Sequence, residues 1–266
     1  GFLSYAGNDC AVQDITEDLV QGYIFSLYGR DLKKASVNTY IRNLRIFLPY
    51  VDKISPLSFS PASIKIPRTP KKQLRIYSDD EIRQIFDSIR HPIKWIQFRN
   101  CTIIALMLDS GLRQSEVSSL RRKDVSFSPP RLLVHGKGDK ERFVPLGNVS
   151  AHFLRQYWAS CPFPPGDYVF LSDLGEKLTK NAIRLFITRL AKRLPFELSS
   201  HKLRHNFATN YCLDKLNAGE QVDAFTLKTL MGHADISTTE RYIHCAVELM
   251  AVKSIMSHLD RILDVS

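Results

Sequence analysis

The chain has 266 residues, 44% of them hydrophobic and 24% charged, an ordinary globular composition with room for two cores. Its longest apolar run, Ile103 to Leu108, is far too short to span a bilayer, and Gly1 to Gln13 lacks the basic start and long apolar core of a secretion signal. A net charge of +10 points toward a polyanionic partner, DNA or RNA, although solvated lysines on a basic enzyme give the same total.

Ile15 to Tyr28 carries apolar residues at Ile15, Leu19, Val20, Tyr23, Ile24 and Leu27, a helical spacing. A second helix is expected from about Ser36, read as its N-cap, with a stripe of Val37, Tyr40, Ile41, Leu44, Phe47 and Leu48. Lys33, Lys34, Arg42 and Arg45 lie off that stripe. Pro56, Pro61, Pro67 and Pro70 then break the pattern, and Lys71, Lys72 and Arg75 make the stretch an extended basic linker. Residues 1–76 hold eleven Lys and Arg against six Asp and Glu, half of the whole excess. A clamp on a phosphate backbone explains that concentration; a merely solvated linker does too. The chain is thus divided into a helical domain at 1–66, a basic linker at 67–76 and a second domain at 77–266.

In the second domain, Ser78 and Glu81 form a capping-box pattern for a helix to about Ile89. An apolar helix over Phe98 to Ser110 stops at Gly111. Leu132 to Val134 and Arg142 to Val144 read as short strands around a turn holding Gly136 and Gly138. Helices are expected at about Lys180 to Leu194, Leu203 to Leu216 and Ala224 to Met231. A further capping pattern, Ser237 with Glu240, opens a helix carrying Tyr242. A last amphipathic helix is placed at about Val247 to Leu263, with Val247, Met250, Ile255, Leu259, Ile262 and Leu263 as its apolar face. The expected fold class is mainly α with a small antiparallel β-sheet. Five cysteines, far apart and odd in number, fit a reducing cytoplasm better than a disulfide framework, and no pair has metal-ligand spacing.

Several reactive side chains sit beside these helix stops and turns. Arg113 follows Gly111; Lys137 lies between two glycines at the hairpin tip; His201 and Arg204 share a helix face; His233 follows Gly232. Each alone has a bland explanation: a surface arginine, a turn lysine, a structural histidine, a packed tyrosine. Together, two arginines, a lysine, two histidines and a tyrosine can perform phosphoryl transfer. Guanidinium forks match phosphate oxygens and hold the charge that grows on phosphorus in the transition state. A phenol with a pKa near ~10 needs such cations or a base to attack, and a lysine can protonate the leaving oxygen. The ester formed conserves the bond energy, so neither metal nor other cofactor is called for, and no acidic cluster suggests a divalent metal site.

Four stretches in this order carry a resemblance: Ser110 to Glu116, His135 to Leu146, His201 to Thr209 and Leu230 to His244. They resemble the tyrosine recombinase/integrase family, with the bacterial Xer-like branch or a transposon or phage integrase as the nearest likeness. The resemblance covers about residues 77–266, and the N-terminal helical unit fits the family's core-binding domain less specifically. It implies a two-domain C-shaped clamp on double-stranded DNA. It implies Arg113 and Arg204 as the phosphate clamp, Lys137 as general acid, His201 assisting the proton transfer, His233 on the phosphate, and Tyr242 as the nucleophile of a 3′-phosphotyrosyl link. Glu116 would orient Arg113, and Arg42, Arg45, Lys71, Lys72 and Arg75 would touch DNA. It further implies strand exchange through a Holliday junction in the cytoplasm by a tetramer on synapsed DNA, monomeric or weakly associated without it, with accessory DNA-bending proteins as candidate partners. A DNA-binding relative without catalysis and a type IB topoisomerase are the alternatives within this chemistry, and an RNA-binding module the one outside it. The apolar face of the last helix would dock on a neighbouring subunit or on its own. The segment from about Lys215 to Asp223 reads as an insertion.

Overall fold

The computed structural model describes residues 1–68, 75–136, 138, 140 and 141–254. The chain forms two compact units, Gly1–Lys72 and Gln73–Ser266. It is mainly helical with one small sheet, the architecture expected from sequence.

The first unit contains α1 (Phe2–Ala6), α2 (Glu17–Tyr28) and α3 (Lys34–Ile54). Thr16 caps α2 by accepting from the Leu19 amide at 3.2 Å. Val20, Tyr23 and Leu27 of α2 close on Val37, Ile41, Leu44, Leu48 and Val51 of α3; of the stripe expected there, Tyr40 and Phe47 are instead exposed, and Val51 joins it. Ser36 is not the N-cap of α3. Lys33 holds that position, and Ser36 already donates its amide to the Lys33 carbonyl at 2.7 Å. Pro49 lies inside α3 and the helix continues past it, because the ring sits on the exposed side and costs a single ladder bond. Arg42 and Arg45 are exposed, opposite the buried stripe.

The second unit is built around α5 (Lys94–Asp109), in which residues from Trp95 to Met107 are buried on nearly every side. Around it lie α4 (Asp79–Asp87), α6 (Gln114–Ser119), α7 (Asn148–Ser160) and α8 (Lys180–Ala191). The capping box on α4 is present: the Glu81 amide donates to Ser78 Oγ at 3.2 Å, and the Ser78 amide to Glu81 at 2.9 Å. An antiparallel sheet runs in the order β1 (Val125–Phe127), β2 (Pro130–His135), β3 (Glu141–Pro145), with Val134 opposite Arg142 and Leu132 opposite Val144. The sequence did not reveal β1, α6 or α7. β1 is three residues long, α6 only six, and α7 shows the core a narrow stripe of Ala151, Leu154 and Tyr157.

A second, smaller core joins α9 (Ser200–Asn217), α10 (Ala224–Met231) and α11 (Ser237–Ser254). Its members are Phe207, Ala208 and Cys212 of α9, Leu227 and Met231 of α10, and Tyr242 and Ala246 of α11. Within the stretch from Lys215, α9 continues to Asn217, and Asp223 caps α10 through the amides of Phe225 and Thr226 at 3.0 Å each. Two expectations about α11 change. Ser237 is a helical residue rather than the cap; its amide donates to the Asp235 carboxylate at 3.0 Å. The stretch from Val247 is no separate helix but continues α11, with Val247 48% and Val252 77% exposed. Ile255, Leu259, Ile262 and Leu263 lie outside the described residues.

Candidate active site

Three structural choices bring the expected site together. Gly111, at φ +61°, ends α5 and turns the chain so that Arg113 starts α6. A Cβ at Gly111 would stand 2.4 Å from the Phe207 ring, so the close approach of α5 and α9 also needs glycine there. Gly232 ends α10 in the left-handed region, φ 58° and ψ 45°, and delivers His233. The α9 helix then puts His201, Arg204 and His205 along one side, with Arg204 pointing inward and buried.

Glu116 is the anionic centre, with 3% of its side chain exposed. Its two oxygens accept from Arg142 at 2.9 and 3.0 Å, and from the amide and guanidinium of Arg113 at 2.8 Å each. A guanidinium nitrogen of Arg204 is 3.9 Å away. Burial pushes the Glu116 carboxyl up, but the hydrogen bonds and charge of Arg142, with those of Arg113, outweigh it and hold the group below its ordinary value. Three guanidiniums against one carboxylate leave a positive site in a poorly solvated place. Burial and the neighbouring Arg113 charge pull Arg204 down to about 9, so it keeps its proton at neutral pH.

Arg142 escaped the sequence reading. In β3 it alternates with exposed Glu141 and Phe143 and shares the inward side with Val144. The strand period was the available signal, and an inward-facing arginine requires a partner; that partner is Glu116.

The arginines are also tied to the end of α10. Arg142 Nε donates to the Leu230 carbonyl at 2.8 Å, Arg204 to the Met231 carbonyl, and Arg113 to the Gly232 carbonyl at 2.8 Å. Arg204 donates as well to the carbonyl of Gly111. Helix C-terminal carbonyls have no partner within the helix and carry the negative end of its dipole, so cations settle there. Gly232→Ala should therefore disturb both backbone and site. Its Cβ would lie 3.0 Å from an Arg142 guanidinium nitrogen and 3.3 Å from one of Arg113, besides the left-handed strain. We expect a loss of roughly 1–2 kcal/mol in urea unfolding together with reduced activity; an unchanged midpoint would contradict this.

A cleft of about 990 Å³ opens beside these groups, lined by Arg113, Glu116, Arg142, Gly232 and His233 with the ends of the β2–β3 hairpin, Gly136 and Gly138. Lys137, expected at the hairpin tip, lies outside the described residues. His135 anchors the base of the hairpin, 3.0 Å from Asp124 and 3.0 Å from Glu141.

Tyr242 lies behind His233, 1% exposed, with the two rings stacked at 6.0 Å. Burial raises its phenol above the ordinary value against the pull of Arg241, Arg204 and Arg113. The Thr239 hydroxyl, 3.0 Å from His233 Nδ1, sets the His233 ring orientation, and burial with the charges of Arg204 and Arg113 takes that imidazole down to about 4. His201 is exposed in the first turn of α9 and does not hold the Tyr242 hydroxyl. That place belongs to His205, whose Nδ1 is 2.5 Å from the hydroxyl oxygen. The His201 ring lies one turn earlier on α9, 6.5 Å from that of His205. Of the residues expected to touch DNA, Arg42 and Arg45 are exposed, Arg75 pairs with Glu81 at 2.5 Å, and Lys71 and Lys72 lie outside the described residues. Among the described residues no group of His, Cys, Asp and Glu is arranged to hold a metal ion, and no helix is long and apolar enough to cross a membrane.

Comparison with known proteins is consistent with this geometry. Residues 75–248 match the model of the phage integrase family. Tyrosine recombinase XerC of Staphylococcus saprophyticus is 30% identical over 246 residues, covering 90% of this chain and 80% of the relative. XerC of Staphylococcus aureus strain N315 is 30% identical over 232 residues, 84% and 75% of the two chains. Among solved structures, XerH site-specific recombinase in a post-cleavage complex with its difH substrate matches with a TM-score of 0.73 at 22% identity, over 91% of this chain and 72% of that one. A lambda integrase dimer bound to a core site matches with a TM-score of 0.70 at 16% identity, over 91% and 84%. The chain belongs to the phage integrase family, that of the site-specific tyrosine recombinases.

Proposed function

We propose that this recombinase cuts and rejoins double-stranded DNA with Tyr242 as nucleophile, forming a 3′-phosphotyrosyl link and exchanging strands through a Holliday junction. The observation that carries this is the convergence, within one unit, of Arg113, Arg204, His233 and Tyr242, delivered by three separate sequence stretches. Arg113 and Arg204 take the scissile phosphate. The site's surplus of positive charge matches the second negative charge that a phosphodiester gains on becoming pentavalent. His233 hydrogen-bonds a phosphate oxygen, Lys137 protonates the departing 5′ oxygen, and His201 assists proton transfer at the nucleophile. Glu116 and Arg142 hold the clamp in place. No step needs ATP, because the phosphotyrosyl ester keeps the energy of the broken bond.

The test is a duplex, selected for binding from the DNA around the gene, that carries a nick beside the expected cleavage position. The nicked fragment diffuses away and traps a covalent complex on the 3′ side. Absence of any adduct on bound DNA would favour a DNA-binding relative without catalysis. Relaxation of supercoiled plasmid without regard to sequence would favour a topoisomerase.

Exposed Arg42 and Arg45, with Lys71, Lys72 and Arg75, supply the first unit and the linker with contacts to the phosphate backbone. Replacing Arg42 and Arg45 together by alanine should lower affinity evenly across sequences. The slope of log affinity against log salt should become shallower by about two. Fluorescence anisotropy over a salt series checks this, and an unchanged slope would remove both residues from the interface. We assign the reaction to a tetramer assembled on two DNA sites in the cytoplasm, with α11 contributing to subunit contacts. Integration, excision and dimer resolution remain alternative tasks of the same chemistry.

A further inference from the structure

We propose that Thr239 is a positioning residue of this site, fixing the tautomer of His233 so that its Nε2 presents a proton to the scissile phosphate. The inference rests on the reading of His233 as a phosphate contact and adds the group that makes the imidazole a donor there. Thr239 is fully buried, and among the described residues its hydroxyl has one hydrogen-bond partner, His233 Nδ1 at 3.0 Å. It stands three residues before Tyr242 in α11, so one buried face of that helix carries both side chains.

Burial decides the direction of the bond. A hydroxyl can donate or accept, and a neutral imidazole has one nitrogen of each kind. Burial, then the charges of Arg204, Arg113, His205 and Arg142, take His233 down to about 4, so the ring is neutral near neutral pH. If Nδ1 donated to Thr239, the hydroxyl proton would be left in a dry place without an acceptor, the costly arrangement for a buried donor. With Thr239 donating to Nδ1, every proton has a place, and the ring's own proton sits on Nε2.

The cleft explains what that proton is for. His233 lines it beside Arg113, with its ring stacked on Tyr242 at planes 18° apart. Nδ1 is taken by the buried threonine, so the ring meets a ligand in the cleft through Nε2. A phosphate oxygen finds an N–H there in the tautomer that Thr239 selects and a lone pair in the other. The first is a hydrogen bond to an anion; the second repels it. The wrong tautomer therefore removes a donor where negative charge gathers in the transition state. Arg113 and Arg204 have no acceptor form and need no such selector; a neutral histidine does. No proton changes owner in this role: Thr239 keeps its own, and His233 holds its Nε2 proton through cleavage and rejoining.

The experiment has two arms. Long-range proton–nitrogen NMR of the full chain, without DNA and near neutral pH, reads the His233 nitrogens, assigned by their loss in His233→Ala. Nε2 should carry the proton and Nδ1 should accept a bond; a protonated Nδ1 would overturn the proposal. The second arm is single-turnover adduct formation on the nicked duplex. Thr239→Val keeps the branched shape and removes the hydroxyl. It should cut roughly 10-fold more slowly at unchanged DNA affinity, the worth of one hydrogen bond to a charged group. Thr239→Ser restores the donor and should recover most of that rate. In a His233→Ala background, Thr239→Val should cause no further loss, because the selector has no ring to act on. Parent rate in Thr239→Val, a Thr239→Ser protein as slow as Thr239→Val, or a full extra loss in the double variant would each make Thr239 a packing residue only. If the unaltered protein forms no adduct on bound duplex, the reading of Tyr242 as nucleophile fails, and the NMR arm alone then decides for or against Thr239.

Discussion

Tyr242→Phe is expected to abolish the covalent DNA adduct while leaving the fold and DNA affinity close to those of the parent. The ring is 1% exposed and packs with Phe207, Cys212, Leu227 and Met231, and phenylalanine keeps that packing. What is lost is one oxygen and its bond to His205. The structural cost is about 1 kcal/mol, the usual worth of such a bond, because His205 keeps part of its exposure. The chemical cost is the nucleophile itself, so cleavage should fall by more than about 10⁴-fold. Gel separation of the covalent complex on the nicked duplex measures this, with circular dichroism and anisotropy as controls. An adduct that persisted in Tyr242→Phe would mean that another side chain attacks phosphorus.

Replacing Glu116 by alanine should be the most damaging change to stability in the site. The carboxylate is almost fully buried and faces Arg142, Arg113 and Arg204. Removing it leaves guanidiniums without their counter-charge in a place water barely reaches, a loss of about 3–5 kcal/mol. The urea midpoint should fall accordingly, and adduct formation with it, because Arg113 and Arg142 lose the group that aims them. Glu116→Gln keeps the shape but not the charge and should fall between. The same pair predicts a direction in acid. Because the folded carboxyl is held below its ordinary value, its contribution is complete above the unfolded pKa, near ~4.3, and is lost as pH falls through the folded one. A Glu116→Ala protein as stable as the parent would show that the arginines are held by other means.

Much of this site was legible because helix ends announce themselves. Gly111 and Gly232 are positions where the backbone must turn left-handed, and both deliver a functional residue just beyond. Ser78 with Glu81 closed a capping box as read. The Ser237 reading failed because Asp235, two residues earlier, is the better acceptor for the free amide. Arg142 was missed because a charged residue in a short strand reads as solvent-facing until a buried carboxylate is found opposite it. His205 and His201 are the same residue type one turn apart on the same helix, so the sequence does not rank them. Only the packing of α9 on α11 decides which of the two imidazoles meets the tyrosine. The helix at Asn148–Ser160 was missed for a plainer reason, since a narrow apolar stripe among polar residues gives little periodic signal.

The three consecutive carbonyls of Leu230, Met231 and Gly232 each accept from a different arginine. Because the contacts reach backbone oxygens, the last turn of α10 cannot fray without releasing Arg142, Arg204 and Arg113 together. Opening of that turn and loss of the anion site are then a single cooperative event. Phosphate binding draws on the same equilibrium, so amide exchange in a helix that supplies no catalytic side chain reports how often the enzyme is competent to cut.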